Sequence, residues 1–76
     1  MFRVEVQLAD ENRLVETVEA MRTWLNDKEF APLTFGYSLA SARVMFRVDF
    51  ASQAEAGAFA TAFHGAIVHY KNGMAL

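Results

Sequence analysis

The chain has no cysteine among its 76 residues, which excludes disulfides and thiolate metal sites. Its one proline, Pro32, bars a helix from continuing across that point and biases Ala31 toward extended geometry. The four glycines are scattered at Gly36, Gly57, Gly65 and Gly73, so they build no phosphate-cradling loop. No apolar run approaches the roughly eighteen residues of a membrane-spanning helix. Near Met1, Arg3 and Glu5 interrupt the apolar residues and no small-residue cleavage pattern follows, unlike a secretory signal. A soluble, cytoplasmic chain is the expectation. Charge of one sign is also lacking: seven basic residues face nine acidic ones, for a net −2. That balance offers no general attraction to nucleic acid or to anionic membrane.

A chain this short buries only about 60–65% of its unfolded surface, so its core is marginal unless reinforced. With disulfides excluded, the remaining reinforcements are a metal or oligomerisation. The hydrophobic fraction, 54%, is rich for the length and hints at apolar surface left for a partner. The expected organisation is a single domain over residues 1–70, with residues 71–76 as a tail opened by the turn pair Asn72-Gly73.

Two stretches alternate strictly between apolar and polar residues, Phe2 to Leu8 and Val44 to Phe50. Set antiparallel so that paired numbers sum to 52, they match Phe2 with Phe50, Val4 with Val48, Val6 with Phe46 and Leu8 with Val44. The other face then pairs Arg3 with Asp49 and Glu5 with Arg47. One face is wholly apolar and the other carries two opposite-charge pairs, as cross-strand neighbours favour.

Between these strands, Asp10 offers an N-cap with Glu11 in the first turn. Leu14, Val18, Met21 and Leu25 follow at helical spacing, flanked by Val15 and Trp24, to an end near Asp27. A second strand, Leu33 to Leu39, alternates Leu33, Phe35, Tyr37 and Leu39 with Thr34, Gly36 and Ser38. An Ala40-Ser41 link would pair Tyr37 with Val44 and Phe35 with Phe46. After the third strand, Ser52 and Glu55 have capping-box spacing, and Gly65 is placed to end the second helix near His64. Ala56, Phe59, Ala62 and Phe63 form its expected inner stripe. Ala66 to Tyr70 reads as a short fourth strand.

The order β-α-β-β-α-β predicts an α+β fold of ferredoxin-like, split-βαβ type: an antiparallel four-stranded sheet with two helices on one face. A three-stranded form without the last strand is the structural alternative. The strand–helix run from Val4 to Met21 resembles the ACT-type regulatory domains, which would imply a small-ligand-binding role. The glycine with which such domains admit an amino acid after the first strand is absent here.

No residue pattern carries catalysis. Ser38, Ser41 and Ser52 lack a nucleophile-elbow context, and Ser52 is accounted for by capping. His64 and His69 have no third ligand at metal-binding spacing, and His64 fits a helix C-terminus where positive charge is favoured. No cofactor or metal site is expected, and no catalytic residue. The central strands place Arg3, Glu5, Gln7 and Met45, Arg47, Asp49 where RNA-recognition modules carry stacking aromatics, so nucleic acid is not an expected partner. The expected interface is instead the sheet face at Arg3, Glu5, Met45, Arg47 and Asp49, together with the small-residue face Ala54, Gly57, Ala58 and Thr61 of the second helix. These readings favour a non-catalytic module that binds protein, first of all a second copy of itself. The alternative is a small-ligand regulatory domain, or an enzyme subunit, with a subunit-interface pocket lined by Tyr37, Trp24 or His69.

Overall fold

The computed structural model describes residues 1–41 and 43–68. Its elements follow in the order β1 (Phe2–Leu8), a 3-10 turn (Glu11–Arg13), α1 (Leu14–Lys28), β2 (Thr34–Ala40), β3 (Arg43–Phe50), α2 (Gln53–Phe63) and β4 (Ala66–Val68). The sheet is antiparallel throughout, in the order β2-β3-β1-β4. This is the ferredoxin-like split-βαβ arrangement. The end of the expected fourth strand, His69 and Tyr70, and the tail from Lys71 lie outside the described residues.

The β1–β3 register matches the sequence pattern pair for pair, from Phe2 opposite Phe50 to Leu8 opposite Val44. Its apolar face supplies most of the core: Val4, Val6, Val44, Phe46, Val48 and Phe50 are buried against Met21 and Leu25 of α1 and Ala56, Phe59 and Ala60 of α2. Trp24 joins the helices, meeting Phe30, Phe59 and Phe63 edge-on at centroid distances of 5.6, 5.6 and 5.8 Å. Such geometry suits the positive edge of one ring against the negative face of another.

Strand two departs from the expected register by two residues. Tyr37 lies opposite Phe46 and Phe35 opposite Val48, and Ala40 pairs with Arg43 at the turn. Ala40 is therefore the last paired residue of the strand and not part of the link, as the expected Ala40-Ser41 turn would have it. Ser41 adopts a left-handed φ of 54°, the backbone sign that tight two-residue links require. A shift of two keeps every side chain on its face. It also brings Thr34 opposite Asp49, where the Thr34 hydroxyl donates to Oδ2 at 2.7 Å.

The helix ends show similar local corrections. Asp10 caps as expected, accepting from the Asn12 amide at 3.0 Å, but the turn it opens is 3-10 before α1 begins. Ser52 accepts from the amides of Ala54 and Glu55 at 3.1 and 3.3 Å. The left-handed residue that ends α2 is His64, at φ 57°, and not Gly65. Gly65 serves a different need: a Cβ there would stand 2.8 Å from Val6 Cγ2 and 2.9 Å from the Glu5 carbonyl oxygen. The chain thus passes too close to β1 for any side chain. On α2 it is Ala60 that is buried and Ala62 that is exposed. Positions 56, 59, 60 and 63 follow the i, i+3, i+4, i+7 face of one helix.

Candidate functional site

The sheet face away from the helices holds a polar network. Arg3 donates to Asp49 through Nε to Oδ1 at 2.7 Å and Nη2 to Oδ2 at 3.1 Å. With Thr34 adding its hydroxyl, Asp49 is only 2% exposed although it faces away from the core. The bonds from Arg3 hold its carboxyl below the ordinary value. Burial opposes that shift, and the Thr34 bond and the Arg3 charge reinforce it. Next along the sheet, Arg47 lies 3.5 Å from Glu5 and donates to the Ser38 hydroxyl at 3.1 Å. Both charge pairs expected from the register are therefore present. This face is not simply solvated, because Asp49 is sealed by its partners.

The expected interface residues fall on two separate surfaces. Arg3, Glu5, Met45, Arg47 and Asp49 share the polar sheet face. Ala54, Ala58 and Thr61 are exposed, with Gly57 half-buried, on the side of α2 turned away from the sheet. Because α2 packs on the opposite sheet face, no single partner surface covers both sets. Of the residues named for a ligand pocket, Trp24 packs in the aromatic cluster and also borders an open depression of about 500 Å³ with Glu19, Thr23 and Asp27, Tyr37 lines a second depression, and His69 lies outside the described residues.

A third surface, missed in the sequence, is the most apolar. Tyr37, Leu39 and Leu33 are on or beside β2 at 50, 56 and 57% exposure, and Val15 on α1 is 69% exposed. The alternation assigned the strand residues to the helix side, and they do lie there. They stay open because α1 buries only Met21 and Leu25, in its C-terminal half. Its N-terminal half leaves Leu14 and Val18 half-buried. Between that half and β2 runs an open depression of about 480 Å³, lined by Leu14, Val15, Val18, Glu19, Arg22 and Tyr37. One signal was available in the sequence: no charged residue stands between Glu29 and Arg43.

The remaining clefts are shallow. One of about 410 Å³ lies where α1 meets β2, bordered by Arg22, Leu25, Asn26, Phe30 and Phe35. Another, of about 320 Å³, lies on the polar sheet face beside Glu5, Gln7, Met45 and His64. Among the described residues, no buried side-chain nitrogen or oxygen lacks a hydrogen-bond partner. Nor does any group of three or more His, Asp or Glu there have a metal-holding arrangement. No described helix is long and apolar enough to cross a membrane. Comparison with protein-family models, with curated proteins and with solved structures finds no match.

Proposed function

We propose that this chain is a non-catalytic protein-interaction module that works as a homodimer. The observation that carries this reading is the exposed apolar strip of Val15, Tyr37 and Leu39 beside the edge strand β2. Large apolar side chains gathered on one surface mark contact sites more often than isolated ones do. The size of the chain supports the same reading. A small domain without disulfides gains stability from covering such a strip with a partner. On the sheet face, by contrast, the charged groups Arg3, Glu5, Arg47 and Asp49 are already paired with one another, which leaves less charge there to recognise a ligand.

Sedimentation equilibrium from submicromolar to high micromolar concentration tests the proposal, with thermal melting followed over the same range. A homodimer gives a mass that doubles with concentration and a melting temperature that rises with it. A monomer throughout, with melting independent of concentration, would remove the reading.

A further inference from the structure

We infer that the second copy docks on β2, edge to edge and antiparallel about a twofold axis at Tyr37, so that two four-stranded sheets become one of eight strands. This rests on the homodimer reading above and specifies where the copies meet. β2 is outermost in the order β2-β3-β1-β4, and its seven residues run Thr-Phe-Gly-Tyr-Ser-Leu-Ala. Among the described residues no strand lies against its outer edge, which presents its backbone donors and acceptors. Monomeric proteins blunt such edges with lysine, proline or an inward charge. β2 carries none of these.

The strand is also complementary to itself. In an isologous contact, if residue i meets j, then j meets i. An axis at Tyr37 sets Tyr37 against its own copy, Gly36 against Ser38, Phe35 against Leu39 and Thr34 against Ala40. Since none of these residues is charged, no like charges meet along the strand. Phe35, Tyr37 and Leu39 of both copies then share the helix side, joining the two half-open strips into one.

In each copy Leu14, Val15 and Val18 of α1 border the depression beside Tyr37, so the joined strips extend the apolar surface from β2 onto α1.

The absence of cysteine allows a clean cross-linking test. Gly36→Cys and Ser38→Cys are prepared as separate proteins, mixed and oxidised mildly. A Cβ at Gly36 meets nothing within 4 Å, and Ser38 is exposed, so both variants should fold. In the inferred register the two positions are directly opposite, with Cα atoms about 4.5–5.5 Å apart, inside disulfide range. Each alone faces its own copy only diagonally, at about 7–8 Å. The mixture should cross-link severalfold more than either protein alone. Met45→Cys and Thr61→Cys report stacking through the polar sheet face and through α2. If the wild type is dimeric and either of these variants cross-links while the Gly36→Cys and Ser38→Cys mixture does not, this docking is overturned and the homodimer stands. A wild-type monomer at every concentration would remove both. As a second measure, Leu39→Lys should raise the dimer dissociation constant at least tenfold with an unchanged circular-dichroism spectrum. An unchanged dissociation constant would also overturn the docking.

Discussion

Asp49 lies beneath the Arg3 guanidinium, bonded through Nε at 2.7 Å and Nη2 at 3.1 Å, on the sheet face that alternation assigns to solvent. With Thr34 completing the site, a charged residue outside the core is nearly as buried as the valine before it. The polar face thus has its own fixed centre, and that centre joins β1, β2 and β3.

Removing the carboxylate should be expensive. Breaking one side of a fully buried ion pair costs about 3–5 kcal/mol. Arg3 keeps 25% side-chain exposure, so Asp49→Asn should cost about 2–3 kcal/mol, just below that range. Asp49→Val should be no milder, since it strands both Arg3 and Thr34. Urea denaturation measures the difference. A loss below about half a kcal/mol, the scale of an ordinary surface change, would show that the network contributes little.

Acid should act through the same group. The Asp49 carboxyl titrates below its ordinary value of 3.8 when folded, chiefly because of the Arg3 bonds. The unfolded chain therefore takes up that proton first as pH falls. The stabilisation is complete above the unfolded pKa and is lost as pH drops through the folded one. Unfolding free energy measured from pH 6 down to pH 2 should fall more steeply for the wild type than for Asp49→Asn. Parallel curves would exclude Asp49 as the source.

Two glycine-to-alanine changes should have opposite signs. Gly57 sits inside α2 with nothing within 4 Å of an added Cβ. Alanine there should stabilise by about 0.5–1 kcal/mol through lower chain entropy. At Gly65 the same methyl meets Val6 and the Glu5 carbonyl at under 3 Å. Overpacking of that kind costs about 1–3 kcal/mol. Melting of the two variants side by side decides the matter, and equal shifts would refute the contrast.

The Glu5–Arg47 pair should matter far less than Arg3–Asp49. Its atoms are 3.5 Å apart, and the side chains are 28 and 42% exposed, so solvent screens it to about 0.2–1 kcal/mol. Reversing both charges, Glu5→Arg with Arg47→Glu, should recover most of what either single change loses. A double-mutant cycle reads the coupling directly. Zero coupling would mean that the pair contributes nothing.

The central register was fully legible in the sequence, because two alternating strands with one apolar face have only one pairing that keeps faces and charges matched. Side-chain parity on β2 was legible for the same reason, but its register was not. A slip of two residues preserves every face, so hydrophobic pattern cannot distinguish the two pairings. The left-handed backbone at Ser41 and the Thr34–Asp49 bond select between them. Capping by Asp10 and Ser52 was readable because it depends on residues two or three apart.

What the sequence by itself determined is the order of elements, the β1–β3 pairing and which side of each strand faces the helices, all set by periodicity and short-range chemistry. Only the tertiary structure decided how well each face is covered. Alternation says that Tyr37 and Leu39 point toward α1, but exposure depends on where α1 lies, and α1 fully buries only Met21 and Leu25 while Leu14 and Val18 stay half-buried. The burial of Asp49 was likewise out of reach, since it takes Arg3 and Thr34 from two other strands to close over it. Coverage is a property of elements distant in the chain, and it is coverage that leaves β2 open to a partner.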